Sequence, residues 1–327
     1  MEFISDILFY LGFPFYYVAQ PISQYYLMTY VGAGITALLL YVFLKQRYRF
    51  SFKAAVQLVL PRRLIRHAST WLDLKLFFVG TYYLLLQVLL VGGFTFVTVP
   101  GTVAALTSII GSPIHTLGPS YFVTAITMLL VFLAIELGYW TSHFMMHKIP
   151  ALWEFHKVHH SAEVLTPLTE WRQHPLELAL FPILMGGASC LVQGPMVWYF
   201  GETSQIVNPM TANYISMAFW YTILHLRHSE LPFYATGLLG HIIQAPAHHQ
   251  VHHSTNPKHF DKNLGYCLSV FDWLFGTLYV PRKGEKFSYG LGHEDSALET
   301  VIGSMFAPIS RALRIIATPF RKHEKTL

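Results

Sequence analysis

Long apolar runs, separated by short polar stretches rich in histidine, set the pattern of this chain. Residues 7–44, 76–135, 178–201 and 203–224 contain no Asp, Glu, Lys or Arg. A membrane-crossing helix needs about 20 apolar residues, so the first two runs are each long enough for more than one element. Pro14 and Pro21 interrupt 7–23, which predicts an interfacial or re-entrant segment. The pattern then predicts a first span over about 24–44, a second over 76–97 and a third over 119–140. Between the last two, 98–117 carries Pro100, Gly101, Gly111 and Pro113 without a charge, which suits a loop on the far side of the bilayer. Residues 178–200 and 205–224 read as a tight hairpin with Glu202 at its outer tip. Pro182, Gly186, Gly187 and Pro195 suggest that its first arm is bent.

Composition agrees with a membrane reading. Of 327 residues, 53% are hydrophobic and only 12% charged, against roughly 25% charged in soluble domains. The net charge of +5 matters less than its placement. No Lys or Arg occurs in 1–44 or 76–147; all 22 lie in 45–75 or after 147. The positive-inside rule puts 45–75, 148–177 and everything after about 225 in the cytoplasm. Tyr25, Tyr26, Tyr30, Trp140, Trp198, Tyr199 and Trp220 are candidate interface aromatics. Residues 299–320 mix Val301, Met305, Phe306, Ile309, Leu313 and Ile316 with Arg311 and Arg314. They suit an amphipathic helix lying on the membrane, or equally a helix packed on a soluble cap. The N-terminal apolar stretch has no preceding Lys or Arg and no small-residue cleavage site, so no cleaved signal peptide is expected. Two cysteines, Cys190 and Cys267, imply no disulfide framework and are too few for an iron–sulfur cluster.

The chemistry lies in the histidines. His143/His147, His156/His159/His160, His225/His228 and His249/His252/His253 are spaced H-x3-H, H-x2-H-H, H-x2-H and H-x2-H-H. On a helix, positions i, i+3 and i+4 share a face, so each cluster can aim two or three imidazoles at one point. Neutral imidazole binds Zn, Cu, Fe and Ni. So many imidazoles exceed the needs of one ion and point to two. All four clusters fall on the side assigned to the cytoplasm. Glu136, two turns before His143 on the same helix face, is a carboxylate inside a span. Such a group is a functional candidate by default, suited to accept a ligand imidazole's second N–H. A helix-packing role is the alternative.

Several stretches resemble the fatty acid hydroxylase superfamily, also called the sterol desaturase family. They are Glu136-Leu-Gly-Tyr-Trp-Thr-Ser-His143-Phe-Met-Met-His147, Phe155-His156-Lys-Val-His159-His160-Ser161 and Leu165-Thr-Pro-Leu-Thr-Glu170-Trp-Arg172-Gln-His174-Pro175-Leu-Glu177. Further on come Leu226-Arg227-His228-Ser229, Pro246-Ala-His248-His249-Gln-Val-His252-His253-Ser254, Asn263-Leu-Gly265 and Phe271-Asp272-Trp-Leu-Phe275-Gly276-Thr277. The likeness covers about 130–280, with a weaker echo at Ser69 and Asp73. It implies an all-α fold: a bundle of about four to five transmembrane helices with a cytosolic helical cap holding a dimetal site. It divides the chain into an N-terminal membrane region (1–117), a catalytic region (118–285) and an amphipathic cytosolic tail (286–327).

The resemblance implies His143, His147, His156, His159, His160, His228, His249, His252 and His253 as ligands. His225 is a further candidate at a position where the family varies. His248 is not expected to bind. His174, in Arg-x-His-Pro-x-Glu, is a family feature and joins Glu136 as a candidate catalytic residue, with a structural role open. Phe144 stands where an Arg commonly follows the first histidine. The implied chemistry is O2-dependent hydroxylation of an unactivated C–H in a membrane lipid by two iron ions, zinc being a possible substitute in purified protein. A fatty acyl chain, a polar headgroup, an ether lipid and a sterol are all candidate substrates. Electrons would come from a separate donor of the ferredoxin, cytochrome b5 or reductase type. Desaturation by the same centre is the alternative, and no nucleic-acid partner is expected. A zinc-dependent membrane hydrolase is a more distant alternative, disfavoured because H-E-x-x-H is absent and because catalytic zinc takes three protein ligands. Haem ligation and metal transport fit poorly with histidines clustered beyond the spans. The expected location is a multi-pass position in a bacterial inner membrane or the endoplasmic reticulum.

Overall fold

The computed structural model describes residues 27–44, 61–113, 120–201, 213–231, 233–292 and 295–318. Among them the protein is all-helical, without strands; Ile243–Leu268 and Ser254–Tyr289 form isolated bridges. The helices are α1 (Leu27–Leu44), α2 (Arg62–Ile65), α3 (Ala68–Ile110), α4 (Tyr121–Lys148), α5 (Pro150–His160) and α6 (Pro175–Phe200). They are followed by α7 (Tyr214–Trp220), α8 (Gly237–Ile242), α9 (Pro246–His252), α10 (Val270–Leu274) and α11 (Val301–Ala317).

Two described helices, α4 and α6, are long and apolar enough to cross a membrane, and Met28–Leu39 and Phe96–Ile110 are shorter apolar stretches. Helices α3 and α4 both pack along α6. Gly138 makes one of these contacts possible. A Cβ there would lie 2.7 Å from the Leu184 carbonyl oxygen and 2.7 Å from Met185 Cα, so only a bare Cα lets α4 approach α6 so closely. Small residues serve helix packing in this way where lipid offers no hydrophobic drive. Toward the cap, Phe132, Tyr139, Met146 and Phe181 join Leu224, Tyr266 and Cys267 in one buried cluster.

Proline punctuates the cap. Ile149 is extended and Pro150 opens α5; Ala245 is extended and Pro246 opens α9. Proline forces its predecessor out of the helical region yet suits a helix's first turn. Each break turns the chain sharply beside a histidine motif, so α5 folds back against the end of α4. A second set of contacts fixes the segment between α5 and α6. Arg172 reaches Asp73 at 3.0 Å and Ser69 Oγ at 2.7 Å, and the Thr169 hydroxyl donates to Asp73 at 2.6 Å. The two positions of weaker family likeness thus tie the Pro167–Trp171 turn to α3.

The topology departs from expectation in three places. Residues 98–110, expected as part of a loop, continue α3 through Pro100 to Ile110. At 43 residues and about 1.5 Å per residue, α3 exceeds the length a bilayer requires. The expected span 205–224 is represented among the described residues by only the seven-residue α7, followed by a turn and a 3₁₀ segment at Leu224–Leu226. Trp140, expected at an interface, is buried and donates its indole N–H toward Asp272 at 3.2 Å. The expected segment at 7–23, Tyr25, Tyr26, Glu202 and the chain after 318 lie outside the described residues.

Candidate metal centre

Nine of the ten candidate histidines gather into two nests. His143, His147, His156, His160 and His252 form one; His159, His228, His249 and His253 form the other. In each nest the potential ligand atoms lie within 4.8 Å of one another. In the first, His156 Nε2 is 3.0 Å from His143 Nε2 and 3.1 Å from His160 Nε2. In the second, His228 Nε2 is 2.7 Å from His249, 3.1 Å from His159 and 3.2 Å from His253, Nε2 in each case.

Hydrogen bonding does not account for such convergence. One imidazole nitrogen offers a single proton or a single lone pair, yet His228 Nε2 faces three others. A shared ion does account for it. Metal–nitrogen bonds of about 2.1 Å set at right angles hold neighbouring nitrogens about 3 Å apart. The buried Nε2 atoms of His147 and His252 have no protein partner, as a ligand atom requires. The residues present therefore fit two metal ions. The nests are adjacent: the His160 and His253 rings stack with centroids 4.6 Å apart.

Neither H-x2-H-H motif serves one nest alone. His156 and His160 join the first and His159 the second; His249 and His253 join the second and His252 the first. The i, i+4 pair stays together while the residue between them crosses over. Adjacent helical positions differ by about 100° in direction, so His159 and His160 diverge. The sequence reading aimed each cluster at one point; the fold interleaves them.

The far side of several rings is anchored, which fixes tautomer and orientation. His143 Nδ1 donates to the Leu264 carbonyl at 2.8 Å and His252 Nδ1 to the Lys262 carbonyl at 2.9 Å. His156 Nδ1 lies 2.9 Å from Glu177, His228 Nδ1 2.8 Å from Glu170 and His147 Nδ1 3.3 Å from Asp261. The loop supplying those carbonyls is itself built. Asp272 accepts the N–H groups of Leu264 and Gly265, each at 2.8 Å, and Asn263 holds a left-handed backbone at φ 57°.

Glu170 joins a nest imidazole to a buried cation. It accepts from Arg227 Nε at 2.9 Å and Nη2 at 2.6 Å as well as lying against His228. Burial opposes its ionisation, but Arg227 and His228 outweigh burial and hold its carboxyl well below the usual range. Burial, reinforced by neighbouring imidazoles, pushes His156, His160, His249 and His253 well below the ordinary value of 6.5. These rings are neutral at physiological pH, the state that binds metal.

Other candidates occupy different places. Glu136 accepts the backbone N–H of Leu268 at 2.8 Å and of Cys267 at 3.0 Å; the carboxylates that lie against nest rings are those of Glu177, Glu170 and Asp261. Glu170 and Glu177 stood inside a family-like stretch, but only chain crossing brings them behind His228 and His156. His174 caps α6, accepting the Leu176 N–H at 3.1 Å, while its Nε2 meets the Met305 carbonyl at 2.9 Å. His225 lies outside both nests: its ring stacks on Tyr30 at 3.8 Å, and its Nε2 is 2.8 Å from Thr29 Oγ1. His248 turns away to the Gly240 carbonyl at 3.1 Å. Phe144 stacks on Trp140 at 5.1 Å. An apolar cavity of about 600 Å³ is walled by Tyr30, Trp71, Leu165, Leu168 and His225, with Arg63 and Glu230 also lining it; none of the nine nest histidines lines it.

Apolar helices feeding two adjacent imidazole nests define a helical histidine-cluster protein of membrane type. The chain matches, over residues 128–277, the family model described as fatty acid hydroxylase. It is similar to alkylglycerol monooxygenase of Xenopus tropicalis, 31% identical over 53% of this chain and 34% of that protein. The same enzyme of Danio rerio is 31% identical over 54% of this chain and 35% of its own length. Ornithine lipid hydroxylase OlsE of Rhizobium tropici is 25% identical over 53% of this chain and 48% of its own length. The matched stretch spans about a third of the length of those monooxygenases. No solved structure matches the chain.

Proposed function

We propose that the protein is a membrane-bound di-iron oxygenase that hydroxylates an unactivated C–H of a membrane lipid, using O2 and electrons from a separate donor. The observation that carries this reading is the convergence of nine imidazoles, eight of them on buried residues, into two adjacent nests. Iron is preferred to zinc because zinc has no redox chemistry. His143, His147, His156, His160 and His252 would hold one ion and His159, His228, His249 and His253 the other. Two bound irons would supply the activation of O2 and the one-electron chemistry that C–H oxidation needs.

The protein's own groups do the rest. Burial keeps the imidazoles neutral, and the carboxylates of Glu177, Glu170 and Asp261 and the carbonyls of Leu264 and Lys262 orient them. Arg227 keeps Glu170 ionised, so Glu170 remains an acceptor for the His228 N–H. Gly138 lets α4 and α6 close on each other below the nests. The chain's two cysteines, both buried, cannot hold an iron–sulfur cluster. An external donor of the ferredoxin, cytochrome b5 or reductase type is therefore part of the reading.

The relatives' names, monooxygenase and hydroxylase, favour hydroxylation over desaturation. They narrow the substrate to a lipid, with an alkyl ether lipid and an amino-acid-headgroup lipid as first candidates. The nests sit where α4 ends and α6 begins, on the Lys- and Arg-rich side, which suits a multi-pass protein with a cytoplasmic centre. The test is elemental analysis of tag-free protein after anaerobic iron loading, followed by lipid mass spectrometry of expressing cells with and without O2. Two irons per chain and an O2-dependent lipid gaining one oxygen atom are expected. A metal-free protein, or a lipid profile indifferent to O2, would overturn the reading.

A further inference from the structure

Helix α11 turns its large apolar side chains away from the protein. Ile302, Phe306, Ile309, Leu313 and Ile316 are 73%, 67%, 39%, 60% and 69% exposed. At 3.6 residues per turn they fall within about 40° of one line. The packed face lies about 100° round the helix from that line. Ser304, Pro308 and Ala312 are buried, and Val301 and Met305 pack on the cluster of Leu72, Leu76, Val158 and Leu298. The helix is thus satisfied on its inner side before any of the large stripe is used. A helix merely completing a soluble cap would place these residues the other way round.

The position of the stripe says what covers it. His174 caps the start of α6, one of the two helices long and apolar enough to span a bilayer. Its other ring nitrogen meets the carbonyl of Met305, in the second turn of α11. Helix α11 therefore lies beside the point where α6 begins, at the level where a spanning helix leaves the hydrocarbon. It also packs along α5, which starts two residues after α4 ends. The flanks are basic: Arg314 lies beside the stripe in the last turns of the helix, and the sequence continues with Arg321, Lys322 and Lys325. An apolar stripe with cationic flanks at that depth fits a lipid surface carrying anionic headgroups.

We infer that α11 is an in-plane membrane helix whose Ile302–Phe306–Ile309–Leu313–Ile316 face is seated in the headgroup–acyl boundary. Because α11 packs on the helix bearing His156, His159 and His160, this seating fixes the depth of both nests against the lipid surface. The inference rests on the membrane placement proposed above and not on the chemistry of the nests.

The test uses the full chain in vesicles of phosphatidylcholine with a minority of phosphatidylglycerol. Single nitroxide labels are placed at Ile302→Cys, Phe306→Cys and Leu313→Cys, with Arg314→Cys as the flanking control. Cys190 and Cys267 are buried and do not compete for label. Collision with lipid-partitioning O2 is compared with collision with a water-soluble nickel chelate. The three stripe sites should favour O2, and Arg314→Cys the chelate. Preferential access of the chelate to the stripe would overturn the inference. Shielding from both reagents would overturn it too, since a protein surface would then cover the face. No readout depends on turnover, so an inactive preparation seated in this way would challenge the proposed function alone.

Discussion

The Glu170 carboxylate lies 2.8 Å from His228 Nδ1 and is gripped on its other side by the Arg227 guanidinium. A buried cation, a buried anion and a nest imidazole are thus joined in series, and the residue adjacent to His228 supplies the cation. Glu170→Ala removes the orienting group and leaves Arg227 a buried charge without its carboxylate. Breaking such a pair costs about 3–5 kcal/mol, and losing a ligand's outer partner costs about 10–100-fold in metal affinity. Thermal unfolding and chelator competition read the two effects. Wild-type values in both would remove Glu170 from the centre.

Glu177 isolates the affinity effect in the other nest, since its ring partner is His156 alone among nest residues. Glu177→Gln should weaken one of two metal sites by about 10–100-fold while leaving the second near wild type. Two distinguishable titration steps with iron(II) would be seen. Equal weakening of both sites, or of neither, would contradict the division into nests.

His225 and His252 make opposing predictions. His252 belongs to the first nest, so His252→Ala should lower metal content and abolish turnover without preventing membrane insertion. His225 stacks on Tyr30 outside both nests. His225→Ala should retain full metal content and lose about 0.5–1.5 kcal/mol of stability from the ring pair. Loss of a metal equivalent in His225→Ala would place that residue among the ligands.

The buried imidazoles give the metal-free protein a defined acid response. His160, His249 and His253 have folded-state values well below the ordinary 6.5. The unfolded chain therefore binds more protons as pH falls below about 6.5, and stability drops with it. Above that value their contribution is fully present. Asp261, held at about 2 chiefly by its hydrogen bond from His147, stays ionised through the window. Denaturation midpoints of chelated protein should be flat above neutrality and fall between pH 6.5 and 5. A midpoint constant through that interval would mean the rings are protonated in the fold.

Gly138→Ala probes the helix contact beneath the centre. Its Cβ would press on the backbone of Leu184 and Met185, which has no flexible end to yield. A loss of about 1–3 kcal/mol is expected from overpacking, read by thermal unfolding of the iron-loaded protein. An unchanged midpoint would show that α4 and α6 separate freely.

Local rules made much of this protein legible in its sequence. Charge-free runs marked α4 and α6, and the H-x3-H and H-x2-H-H spacings marked nine residues that the fold brings together. Both depend on periodicity along one helix, which a sequence displays directly. Residues 98–110 misled because Pro100 and Gly101 suggest a loop, yet packing along α6 sustains the helix through them. The setting of Glu136 was hidden for a related reason. Its spacing from His143 was visible, but the backbone N–H groups of Cys267 and Leu268 that take its carboxylate lie some 130 residues onward.

Pairing across the chain was decided by the tertiary structure alone. No spacing reveals that His252 leaves His249 and His253 to join His143, or that His159 crosses to His228. Nor does any spacing put Glu177 behind His156, Glu170 behind His228 or the Leu264 carbonyl behind His143. Helical period fixes the angle between neighbouring side chains, so the sequence determined that each H-x2-H-H motif has diverging members. Which partner each member meets depends on how α4, α5 and α9 cross, and those crossings are set by Pro150, Pro246, the Asp272-held loop and the close approach at Gly138.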